Sequence, residues 1–243
     1  MALIWDRLLS SGKASCAKAT RLLIAMTKID GAPLDLSQIE ENAESLVRGI
    51  GREAVEVFGF LSDEFARGPV VGNHLFQFLY RSFYRLDNAG LTTEFKSRYF
   101  LLLEESRNLS DVDLASLVKE LYSIPNLKGQ QSLQFSFVTK LANTVNRLYP
   151  IYDSEVGKVF GFRAPANNKV FEARLDEYLT FYAKLRVAYS EILTKNLLQE
   201  PRRIFRQIYA APPGRISDVK VLDFIFWSAG KLSVVAGALH SSD

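Results

Sequence analysis

The sequence is short of thiols and imidazoles. One cysteine, Cys16, in 243 residues precludes an internal disulfide, and with it a zinc or iron–sulfur site built from several thiolates. The two histidines, His74 and His240, lie far apart and have no ligand-spaced neighbours. No histidine-based metal site is expected, and no cofactor. Long apolar runs are missing too: stretches such as Leu22 to Met26 fall far short of the roughly 20 residues that cross a bilayer. The opening MALIWDRLL has an early acidic residue and no apolar signal core. These shortages predict a cytoplasmic protein without membrane association.

What is present is ordinary globular composition, 48% hydrophobic and 23% charged, in a chain long enough to bury a substantial core. A net charge of +3 permits an anionic partner without arguing for one. Strand-like alternation is scarce and apolar residues recur at helical spacing, so the expected fold is all-α. We read residues 1–243 as one helical domain, with possible lobes at 30–125 and 126–243. A Ser37/Glu40 capping box opens a helix that runs to about Gly49, and a second segment follows from Gly51 through Phe65. Asn73 caps a helix to Leu86, Thr92 or Thr93 caps the next, and Ser110 with Asp113 caps one that ends at Tyr122 before Ile124-Pro125. A long amphipathic helix is expected from about Lys169 to Leu198, then a short basic one from Pro201 with Arg202, Arg203 and Arg206. Ala211-Pro-Pro-Gly214 ends it, Ser217 caps a core helix containing Val221 to Trp227, and residues after Gly237 read as a loose tail.

The stretch Phe135 to Phe162 organises the reading. Lys140 sits on a helical pattern, a Tyr149-Pro150 break follows, and Asp153 starts a second helix. Thirteen residues separate the two, enough to turn the chain so that both side chains face one cleft.

Ser136 to Val145, with its Thr139-Lys-Leu-Ala142 run, and the following Tyr149-Pro-Ile-Tyr-Asp153-Ser-Glu-Val156 resemble the active-site unit of helix-hairpin-helix DNA glycosylases. The likeness is nearest to the 8-oxoguanine glycosylase branch and covers roughly thirty residues. It implies a two-lobed helical fold with the active-site cleft between the lobes. The late Ser217–Trp227 helix echoes one that the family brings back against its base pocket. There are two departures. Where the family hairpin reads Gly-hydrophobic-Gly this chain has Ser136-Phe137-Val138, so the hairpin is differently shaped or the helix starts earlier, near Ser132. There is also one extra residue before the aspartate.

The resemblance implies that Asp153 stabilises the positive charge that develops on the sugar as an N-glycosidic bond breaks. It implies that Lys140 occupies the position that forms a Schiff base in bifunctional members, which would add abasic-site lyase activity. From the residues alone, Asp153 is equally a plain helix cap, and Lys140 a solvated lysine or phosphate contact. Flipping a base calls for flat side chains near the pair, and Phe137, Tyr149, Tyr152 and Trp227 are available, though such a stripe usually packs as core. Asp223 shares a helix face with Trp227 and suits the exocyclic amine of a cytosine, or else pairs with Lys220 or Arg215. Ser136, Thr139, Lys158, Arg163 and Lys169 are the candidate DNA contacts. The expectation is a monomeric DNA glycosylase acting on a damaged or modified base, with repair or attack on hypermodified phage DNA as its setting. The alternatives are a non-catalytic helical DNA-binding protein, and a helical interaction module in which Lys140 and Asp153 form only an ion pair.

Overall fold

A computed structural model describes residues 28–29, 32–33, 36–210 and 215–232. Cys16, His240, the Ala211–Gly214 stop and the tail after Gly237 lie outside the described residues. Within them the chain is all-α, as the periodicity predicts, with one two-residue antiparallel pairing of Lys28–Ile29 with Ala32–Pro33. No described helix is long and apolar enough to cross a membrane.

The helices are α1 (Ser37–Glu41), α2 (Ala43–Ile50), α3 (Arg52–Arg67), α4 (His74–Tyr84), α5 (Thr93–Glu105), α6 (Leu114–Tyr122), α7 (Phe135–Val145), α8 (Ser154–Val159), α9 (Phe171–Thr194), α10 (Gln199–Ile208) and α11 (Asp218–Lys231). Short polar side chains start several of them as expected. Asn73 accepts from Phe76 N, Thr92 from Phe95 N, Asp153 from Val156 N and Ser217 from Lys220 N, each satisfying an amide that the helix itself leaves free.

Some boundaries differ from the expectation. Ser37 is the first helical residue, with Leu36 at the cap, so the capping box is not what opens α1; Asn42 then separates α1 from α2. Asp113 caps α6 in place of Ser110, because its carboxylate reaches Ser116 N at 3.0 Å. The long helix ends at Thr194, and α10 begins at Gln199, after Leu198 in the left-handed conformation. Neither Ser132 nor a glycine hairpin starts α7. It begins at Phe135, so residues 136–138 form its first turn and require no positive φ.

One continuous hydrophobic cluster runs from Leu36 to Ala229 and unites residues of both expected lobes. Its tightest joint lies between α8 and α11. A methyl group at Gly230 would sit 2.3 Å from the Glu155 carbonyl oxygen, so only glycine allows the two backbones to approach so closely. The other end of α8 is closed by Gly161, at φ 69°, where Phe162 N donates to Gly157 O at 2.8 Å and Gly161 N to Lys158 O at 3.2 Å. These two glycines fix the short helix that carries Asp153 at its start.

Candidate active site

The segment between α7 and α8 is held through its backbone. Asn143 Nδ2 donates to Tyr149 O at 2.7 Å, Tyr182 OH to Pro150 O at 2.7 Å, Ile151 N to Asp223 Oδ1 at 2.9 Å, and Tyr152 N to Thr139 Oγ1 at 3.1 Å. Four successive residues are thus stapled by side chains of α7, α9 and α11. Buried backbone groups left unpaired would cost about 1–3 kcal/mol each, and every staple also sets the position of the next residue, Asp153.

Lys140 and Asp153 line one cavity of about 580 Å³, within the range of small-molecule sites. Phe137, Tyr152, Asp223, Trp227 and Ser136 share its wall, as do Tyr84 and Arg85 at the end of α4 and Lys220 on α11. Asp153 is partly buried and its Oδ1 accepts from Val156 N at 2.9 Å, so the carboxylate is both cap and cavity wall. Lys140 Nζ makes only a long contact, 3.5 Å, with Tyr84 O and lies 4.8 Å from the centre of the Phe137 ring. Among the described ion pairs none joins Lys140 to Asp153. Burial lowers the Lys140 pKa from 10.5 to about 8; the Asp153 charge opposes this, and the Lys220 and Arg85 charges reinforce it. The neutral amine is therefore more accessible near physiological pH than in an ordinary lysine.

Asp223 is 3% exposed and spends Oδ1 on Ile151 N and on Tyr189 OH, the latter at 3.0 Å. Its Oδ2 is buried without a hydrogen bond, and Lys220 Nζ lies 3.9 Å away. Burial acts against charge on both members of this pair, pushing the carboxyl pKa up and the ammonium pKa down, while each partner's charge restrains the other's shift.

The other candidates fall elsewhere. Tyr149 is not in the cavity: its hydroxyl donates to Asp111 and accepts from Val112 N at 3.1 Å, with the Arg186 guanidinium over its ring. Thr139 is fully buried and serves as the staple to Tyr152, its hydroxyl donating to Ser136 O at 2.9 Å, so it does not reach a phosphate at the surface. Lys158 and Lys169 are exposed and paired with Glu155 at 2.8 Å and Glu177 at 2.6 Å. Arg163 lines a separate, smaller hollow with Asp176 and Glu177.

Sequence reasoning did not single out Lys220 as a site residue. The available signal was a lysine within the apolar stretch Val219 to Trp227, three residues before an aspartate on the same side. Tyr84 and Arg85 carried no comparable signal, because they reach the cavity only through the docking of α4. Comparisons with protein-family models, curated proteins and solved structures return no match for this chain.

Proposed function

We propose that this chain is a DNA glycosylase that takes a damaged or modified base out of the helix and hydrolyses its N-glycosidic bond, leaving an abasic site. The observation that carries the reading is that Lys140 and Asp153, thirteen residues apart, line a single aromatic-walled cavity. On this reading the fold is the two-lobed glycosylase arrangement. Ala54, Phe83, Tyr84 and Arg85 come from the first lobe and the remaining wall from the second, which is what a cleft between lobes requires.

The flipped base stacks against Trp227 and Phe137, which places the sugar by Asp153. As the C1′–N bond lengthens, the Asp153 carboxylate opposes the positive charge on the sugar more strongly than it acts on the ground state. Water then adds to C1′. Lys140, neutral in part, can attack the abasic aldehyde as a Schiff-base nucleophile, which gives strand cleavage as a second activity. The DNA backbone is held by the surface cations Lys158, Arg163 and Lys169, of which Lys158 and Lys169 exchange their carboxylate partners for phosphates, and the enzyme works as a cytoplasmic monomer.

The test is base release from duplex oligonucleotides carrying 8-oxoguanine, uracil, 5-hydroxymethylcytosine or 5-formylcytosine, with Asp153→Asn beside wild type. Asparagine keeps the helix cap and removes the charge, so we expect the fold retained and the rate lowered by about 100-fold or more. Equal rates would remove Asp153 from the chemistry; no release from any duplex would remove the glycosylase reading. Borohydride trapping separates the roles of Lys140, since an active enzyme that gives no adduct makes no Schiff base. One observation favours a binding module without nucleic acid, namely that Lys158 and Lys169 are already ion-paired. That reading predicts no DNA affinity even at low salt.

A further inference from the structure

Lys220 has no part in the mechanism above, yet it lies on the wall of the same cavity. Its side chain is 5% exposed, and Nζ lies 4.7 Å from the ring centres of both Phe58 and Phe224 and 5.9 Å from that of Tyr84. Enclosing an ammonium group in this way is costly unless it is paired and hydrogen-bonded. The nearest carboxylate oxygen, Asp223 Oδ2 at 3.9 Å, is beyond hydrogen-bond reach and is itself buried without a partner. A donor and an acceptor, both nine-tenths buried or more, therefore stand side by side at the cavity with unused bonding capacity. Trp227 follows Asp223 by one helical turn and lines the same wall, which supplies a flat surface for a ring whose edge meets the pair. The edge of a cytosine-type base, an exocyclic amine next to a ring nitrogen and a carbonyl, is complementary to an acceptor next to a donor.

We propose that Lys220 and Asp223 read the edge of a cytosine-type base and that Lys220 is a further catalytic residue, the acid that protonates this base as it departs. The proposal rests on the glycosylase reading and specifies its substrate class. Asp223 Oδ2 accepts from the exocyclic amine, while the Lys220 ammonium donates to N3 or O2. The C1′–N1 bond breaks with its electron pair going to the base. Lys220 passes a proton to N3 or O2, so the base leaves neutral. Water supplies the hydroxyl that bonds to C1′ and releases one proton to solvent, and the Lys220 amine regains a proton from solvent. One water is consumed, and a free base and an abasic sugar are formed. Asp223, held by Ile151 N and Tyr189 OH, keeps the charged form of Lys220 in place between turnovers.

The experiment compares two cytosine-type leaving groups, 5-hydroxymethylcytosine and the more acidic 5-formylcytosine, in otherwise identical duplexes. General-acid assistance matters most for the poorer leaving group. For Lys220→Met we expect release of 5-hydroxymethylcytosine to fall about 100-fold and release of 5-formylcytosine less than 10-fold. Because Lys220→Met leaves the Asp223 carboxylate buried without a counter-charge, the double variant Lys220→Met/Asp223→Asn is measured as well. Asparagine can still accept from Ile151 N but turns an amide donor toward the exocyclic amine, so release of both bases falls, with 5-hydroxymethylcytosine expected to fall about 10-fold further than 5-formylcytosine. Equal slowing on both bases, or none, in a folded variant overturns the acid role while leaving the glycosylase reading intact. A wild-type enzyme that releases 8-oxoguanine or uracil but neither cytosine-type base overturns both the substrate class and the acid step built on it, and leaves the glycosylase reading intact. A wild type that releases no base from any duplex removes both.

Discussion

Thr139 and Tyr152 lock the two halves of the candidate site together. Tyr152 N–H donates to Thr139 Oγ1 at 3.1 Å in a fully buried setting, one residue before Lys140 on one side and one residue before Asp153 on the other. Of the four fasteners on the turn, this threonine hydroxyl is the one that joins the immediate neighbours of the two functional side chains.

Replacing Thr139 with valine keeps the shape and removes the acceptor. Tyr152 N–H is then buried without a partner, which costs about 1–3 kcal/mol. The urea midpoint should fall accordingly, and Thr139→Ser should restore most of it. A valine variant as stable as wild type would show that this hydrogen bond does not hold the segment.

Gly230→Ala should be among the most damaging small substitutions in the chain. The added methyl meets the backbone of Glu155, at 2.3 Å from its carbonyl oxygen, and no side-chain rotation can relieve the clash. Overpacking of this kind costs about 1–3 kcal/mol, and α8 must shift to accommodate it. Thermal unfolding would report the loss, and an unchanged melting temperature would mean that α8 and α11 are less closely joined than described.

Lys140 makes stability depend on pH with a definite sign. Its pKa in the fold, about 8, lies below the ordinary lysine value of 10.5, so between these limits the unfolded chain holds more protons and stability rises with pH. Its destabilising contribution is fully present below about pH 8 and gone above 10.5. Lys140→Met should accordingly raise stability at pH 7 by on the order of 1–3 kcal/mol and flatten that rise. Urea titrations at several pH values from neutral to strongly alkaline would check both.

Arg107 offers a control remote from the chemistry. Its guanidinium donates to Gly68 O at 2.7 Å, to Phe65 O and to Glu104, and stacks over the Phe65 ring, tying the loop after α3 to the end of α5. Arg107→Met should destabilise by about 1–3 kcal/mol, since two carbonyls and a carboxylate lose their donor. Base-release rates under folding conditions should stay as in wild type, and a fall in rate without a fall in stability would contradict this placement.

Much of this was legible in the sequence because it rests on local physics. Asn73, Thr92, Asp153 and Ser217 read as caps because a short polar side chain before an apolar period has few other uses. The thirteen-residue return from Lys140 to Asp153 was readable from the Tyr-Pro break. What sequence could not supply was the partner of each polar group. Asp223 looked like a free hydrogen-bond acceptor, but one of its oxygens is taken by Ile151 N, 72 residues away in the chain. Tyr149 looked like a pocket wall, and its hydroxyl turns instead to Asp111 and Val112. Lys220 was hidden because burial of a lysine depends on the helices that close over it, here bringing Phe58 from the first half of the chain to its ammonium.

The stapled turn from Tyr149 to Tyr152 also bears on when the site comes into being. Its four fasteners come from α7, α9 and α11, and the last of these helices ends the described chain at Lys231 and Leu232. No subset of early helices can fix Asp153 in place. A truncation before α11 removes the Asp223 fastener and the Gly230 joint together, so the carboxylate acquires its full setting only with the docking of the last described helix.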